Sequence, residues 1–87
     1  MTLKSWNDWQ KRIGETKQIW YCDNESKYKK GLLNNLYGEK IIHIDFNKDI
    51  ATITYQHKHQ TFKGSWHIEN CKITIERQNI VSIEYKN

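Results

Sequence analysis

The sequence KIIHIDFNKDIATITY, residues 40–55, decides how this chain is read. Apolar and polar side chains alternate on both sides of Asn47-Lys48-Asp49, the pattern of two half-buried strands joined by a turn. A two-residue loop at Lys48-Asp49 sets Ile44 opposite Ile53, Phe46 opposite Ala51 and Ile42 opposite Tyr55, all on one face.

Extending the same rule predicts a second loop at Lys58-His59. Tyr55 then faces Phe62, Ile53 faces Gly64 and Ala51 faces Trp66. A third loop at Glu69-Asn70 sets Ile68 against Cys71, Trp66 against Ile73 and Gly64 against Ile75. A three-residue loop, Gln78-Asn79-Ile80, restores Ile75 opposite Ile83 and Ile73 opposite Tyr85, because a one-residue slip exchanges the faces of a strand. The result is an α+β fold: a coiled antiparallel β-meander of five or more strands, with an N-terminal helix packed on its apolar face.

That helix is read over residues 3–13. Trp6, Trp9 and Ile13 recur at helical spacing, Ser5 with Asp8 resembles a capping pair, and Gly14 ends the run. Residues 17–22 alternate as a strand, and residues 23–26 read as a turn. Residues 27–37 stay open between a helix, on the stripe of Tyr28, Leu32, Leu33, Leu36 and Tyr37, and a strand followed by a loop. Gly38 ends the segment in either case.

Eighty-seven residues form a single domain, 1–87. Apolar residues make up only 37% of the chain, so four Trp, five Tyr and two Phe must supply much of the core. No apolar run approaches the length of a membrane span, and the first residues lack the apolar block of a secretory signal, which predicts a cytoplasmic protein without a membrane partner. Two cysteines, Cys22 and Cys71, are too few for a secreted disulfide framework.

Fourteen Lys and Arg against ten Asp and Glu give a net charge of +4, which favours acidic partners. The excess lies in the first half, where residues 1–40 carry eight basic and five acidic groups. Lysine, isoleucine and asparagine are abundant and proline is absent. That bias matches AT-rich coding and points to an accessory protein of a phage or mobile element.

The outward rows of the expected meander alternate in sign, with Lys63 beside Glu76, and every aromatic in it points inward. His57 and His59 flank the expected tight loop while His43 lies on the opposite face, so no metal site is expected. His43 and Glu76 would stand about 14 Å apart, too far for joint acid–base chemistry. The chain carries no phosphate loop, nucleophile elbow or paired-carboxylate motif, so neither catalysis nor a cofactor is expected.

The most suggestive stretch is Trp20-Tyr21 followed by Lys27-Tyr28-Lys29-Lys30. Neighbours on a strand point to opposite faces, so Trp20 and Tyr21 cannot both enter one core. Aromatics interleaved with lysines can anchor in a partner's pocket or stack on bases. Trp20, Tyr21, Lys27, Tyr28, Lys29 and Lys30 are therefore the expected contact residues of a small non-enzymatic binding protein, an inhibitor or accessory protein. It would dock on an acidic or nucleic-acid-reading surface of a larger protein or nucleoprotein. Direct nucleic-acid binding through the same patch is the alternative. Residues 80–86 form an expected edge strand, able to pair with its own copy in a homodimer.

Overall fold

A computed structural model describes residues 1–23, 28–35 and 39–86. Helix α1 (Leu3–Lys11) is followed by a 3₁₀ turn at Ile13–Glu15 and by six strands. These are β1 (Thr16–Cys22), β2 (Lys29–Leu33), β3 (Glu39–Asn47), β4 (Ile50–Gln60), β5 (Trp66–Glu76) and β6 (Ile80–Tyr85). They form two antiparallel three-stranded sheets, in the orders β2-β1-β6 and β3-β4-β5.

The helix starts one turn before the expected cap. Thr2 is the N-cap, its hydroxyl accepting the Ser5 amide at 3.2 Å, while Ser5 lies inside the first turn. Trp6 and Trp9 are buried and stack edge-on against Phe46, with ring centroids 5.1 and 5.0 Å away. Neither indole N–H is left unsatisfied. Trp6 Nε1 donates to the Lys48 carbonyl at 3.2 Å and Trp9 Nε1 donates to the buried Thr16 hydroxyl at 2.9 Å. One apolar cluster joins these rings to Ile19, Leu32 and Ile80 from the first sheet and to Ile44, Ala51, Ile53 and Ile75 from the second. Residues 29–33, left open in the sequence, form strand β2, and Leu36, Tyr37 and Gly38 lie outside the described residues.

The Lys48-Asp49 hairpin keeps its expected register at Ile44–Ile53 and Phe46–Ala51. Farther along, β3 bulges between Ile41 and His43, so Ile41 takes the place opposite Tyr55 and Ile42 turns to solvent. The bulge lets Ile41 and Ile44 both reach the core, which strict alternation forbids.

Two larger corrections concern the rest of the expected meander. The chain does not turn at Lys58-His59 or at Glu69-Asn70. Strands β4 and β5 pair continuously from Ile50–Glu76 to Gln60–Trp66. Tyr55 therefore faces Cys71, not Phe62, and Ile53 faces Ile73, not Gly64. Ala51 faces Ile75, not Trp66, while Lys58 stands across from Ile68.

Strand β6 leaves this sheet altogether. A 3₁₀ turn at Arg77–Asn79 redirects the chain, and β6 pairs with β1, placing Ile83 opposite Ile19 instead of Ile75. Arg77 fixes that corner: its amide donates to the Asp49 carbonyl at 2.7 Å, Nε donates to Asp49 Oδ1 at 2.9 Å, and Nη1 donates to the Met1 carbonyl at 3.0 Å. A second irregularity, between the Trp20 and Tyr21 pairs, lets Ile80 and Ile83 both turn inward and leaves Val81 exposed.

The true β4–β5 turn spans residues 61–65. Gly64 adopts φ = +84°, the left-handed region that costs an L-side chain strain. The turn is closed by the Thr61 amide donating to the Ser65 carbonyl at 2.6 Å and the Gly64 amide donating to the Thr61 carbonyl at 2.9 Å. Gly64→Ala is expected to destabilise the hairpin by about 1 kcal/mol through its backbone alone, since the added Cβ would meet no atom closer than 3.8 Å. Faster amide exchange confined to residues 58–68 would register it.

Candidate binding surface

Beyond the Glu39–His57 pair, β4 and β5 continue with no third strand paired to them among the described residues. The pairs Lys58–Ile68, His59–His67 and Gln60–Trp66, with the 61–65 turn, make a two-stranded arm. Directly paired residues share a face and consecutive residues alternate, so the arm has two chemically different sides.

One side carries Lys58, Gln60, Trp66 and Ile68 and continues down the sheet through Lys40, Gln56 and Asn70 to His43, Thr54 and Lys72. Trp66 is 67% exposed, Ile68 is half exposed, and Phe62 at the arm's turn is fully exposed. Among the described residues, none of Lys40, Lys58, Lys63 and Lys72 is engaged in an ion pair. Both premises of an ordinary solvated face are thereby corrected. Lys63 sits in the turn, far along the ribbon from Glu76, which pairs with Ile50 and accepts a hydrogen bond from Gln78. The aromatics Phe62 and Trp66 point out of the core, not into it.

The other side of the arm extends the core face. Past Ile53–Ile73 come Tyr55–Cys71, His57–Glu69 and His59–His67. The apolar character stops at Tyr55, where partial burial and the neighbouring Cys71 raise the phenol pKa above its ordinary value. Farther out, the side chains are imidazoles and a carboxylate.

Of the expected contact residues, Trp20, Tyr21, Lys29 and Lys30 lie on the other sheet, and the structure divides them between its two faces. Trp20 and Tyr21 project to opposite faces of β1, with Tyr21 packed against the core. Trp20 lies on the outer face across Gly31, where even a methyl group would approach the ring to 2.9 Å. Its Nε1 donates to Glu84 Oε1 at 3.1 Å, and Lys29 Nζ sits 4.9 Å from the ring centroid, within cation–π range. Lys30 is ion-paired with Asp23, and Tyr28 is 80% exposed. Lys27 lies outside the described residues. Trp20 and Lys29 are thus brought together, whereas Tyr21 and Lys30 share the opposite face.

Sequence reasoning missed the arm because it folded Phe62, Trp66 and Ile68 inward. Gly64, the one glycine between Gly38 and the C-terminus, was the available signal for the turn. No helix among the described residues is long and apolar enough to cross a membrane. No protein-family model matches this sequence, and neither a curated protein nor a solved structure matches it.

Proposed function

We propose that this chain is a non-catalytic, cytoplasmic binding protein that docks on an acidic surface of a larger protein, with the outer side of the β4–β5 arm as its main contact. The observation that carries this reading is the exposure of Phe62, Trp66 and Ile68 at the end of the β4–β5 ribbon, flanked by lysines that no described carboxylate neutralises. Large aromatic side chains surrounded by like charge are the usual anchors of a protein interface: the ring fills a pocket and the rim charges steer encounter. Cys22 and Cys71 are free thiols, in keeping with a reducing compartment. The Trp20–Lys29 pair is a second contact in this reading.

A second reading, direct nucleic-acid binding by the same side, is favoured by the row of Lys40, Lys58 and Lys72 interspersed with Gln56, Gln60, Asn70 and Trp66. Lysines could neutralise phosphates while Trp66 stacks on a base. Titrating fluorescent single- and double-stranded oligonucleotides at 50 and 200 mM salt decides between the two. The protein-docking reading predicts no binding at either salt. An affinity that is strong at the lower concentration and falls by orders of magnitude at the higher one would replace it with the nucleic-acid reading.

A further inference from the structure

On the inner side of the arm, His59 and His67 stand directly opposite each other with ring centroids 5.0 Å apart, and Glu69 lies two residues along from His67 on the same face. One ligand atom from each of His59, His67 and Glu69 falls within 4.8 Å of the other two. His57 faces Glu69 across the ribbon, and its ring centroid is 5.7 Å from that of His59. Three imidazoles and a carboxylate thus converge on one patch from two strands.

From this geometry we propose a metal site in which His59, His67 and Glu69, with His57 as fourth ligand, bind a borderline first-row divalent cation of the Zn²⁺ type. Three nitrogens and one carboxylate oxygen suit such an ion far better than Ca²⁺ or Mg²⁺, which take oxygen donors. Metal–ligand bonds near 2.0–2.1 Å put tetrahedral donors about 3.3 Å apart. The present spacing is wider by about the reach of a side-chain rotamer change, and His67 and Glu69 are exposed while His59 is only partly buried.

The present partners are weak competitors. His67 Nε2 is 3.4 Å from Glu69 Oε1, and His57 Nδ1 is 3.7 Å from Glu39 Oε1. A bound cation would pull the His67–Glu69 pair into a shared coordination sphere and free His57 from Glu39. It would tie β4 to β5 beyond their last described pair with β3. The opposite side, bearing Trp66 and Ile68, would stay open, so metal and macromolecular partner need not compete.

The test uses untagged full-length protein, freed of metal by chelation and titrated calorimetrically with Zn²⁺ and by visible absorption with Co²⁺. One saturable ion per chain is expected, with the intense Co²⁺ bands of low coordination number. His59→Ala and His67→Ala should each weaken binding at least about tenfold, since even indirect perturbation of metal ligands has effects of that order. His43→Ala and Cys71→Ser should leave it unchanged. Nuclear magnetic resonance of the wild-type protein removes dependence on variant folding: Zn²⁺ should shift the imidazole signals of His57, His59 and His67 and spare His43. Absence of one-to-one binding, binding that survives the double variant His59→Ala/His67→Ala, or Zn²⁺-induced shifts centred on His43 or Cys71 would overturn the site.

Discussion

Trp9→Ala is expected to abolish stable folding at 25 °C or leave a protein that unfolds in very little urea. Trp9 is fully buried, stacks edge-on against both Trp6 and Phe46, and supplies the hydrogen bond to the buried Thr16 hydroxyl. Truncating a buried tryptophan costs about 3–5 kcal/mol in transfer and cavity terms. A chain of this length has only about 4–13 kcal/mol of total stability. The loss is concentrated because the helix supplies two rings to a core whose other members are mostly single isoleucines from two different sheets. Trp9→Phe keeps one aromatic ring but loses the donor to Thr16 and the rest of the indole's volume, an intermediate effect of about 2–3 kcal/mol. Urea midpoints for the two variants check this ordering. A Trp9→Ala protein within 1 kcal/mol of the wild type would show that the helix is not integral to the core.

Removing both exposed aromatics, Phe62→Ala with Trp66→Ala, should have the opposite profile. Stability should change by no more than about 0.5 kcal/mol per site, because neither side chain is buried in the free protein. Affinity for the docking partner should fall sharply. Central aromatic anchors contribute about 2 kcal/mol or more each, a factor near 30 per residue. Competition between wild-type and variant protein for the partner captured from the native host, with nuclease present, measures the difference. Lys29→Glu in the same assay reports on the Trp20–Lys29 pair, with a smaller loss expected for a rim charge. Equal retention of the double aromatic variant would remove the arm from the interface.

Some of this architecture is legible in the sequence. Trp6 and Trp9 have helical spacing and both are buried, and the Lys48-Asp49 turn between alternating runs fixes the Ile44–Ile53 and Phe46–Ala51 pairs. Asn47-Lys48-Asp49 is a strong local turn signal, and the flanking apolar residues have no competing register. The failures share one cause. Alternation identifies which residues share a face but says nothing about which strand they meet, and it assumes that large apolar side chains go inward. That assumption places Phe62, Trp66 and Ile68 in the core and forces two turns, at Lys58-His59 and Glu69-Asn70, where the chain makes one at residues 61–65. Accepting them as exposed, with Gly64 as the turn residue, gives one uninterrupted ribbon that still keeps Ile73 and Ile75 inside. Bulges near Ile42 and Val81 are a second limit, because each shifts the phase of the pattern by one residue with no glycine or proline to mark it. The pairing of β6 with β1, far apart in sequence, depends on Arg77 holding the corner to Asp49 and Met1, contacts that no local pattern encodes.

The candidate contact residues are subject to the same limit. Trp20 and Lys29 do meet, and Trp20 and Tyr21 do part to opposite faces, as neighbours on a strand must. Alternation alone puts His57 and His59 at the rim of a tight turn, which hides the imidazole cluster of the arm. In the observed ribbon they occupy one face of a continuous strand, with His67 and Glu69 across from them.

Both the proposed docking side and the imidazole side of the arm exist only in the β4–β5 register, so interstrand nuclear Overhauser effects in isotopically labelled protein are the most direct measurement. Cross-strand contacts linking His59 to His67 and Tyr55 to Cys71 are the expected result. Contacts linking Tyr55 to Phe62 and Ala51 to Trp66 instead would fold the arm back into the sheet, bury its aromatics and contradict the account.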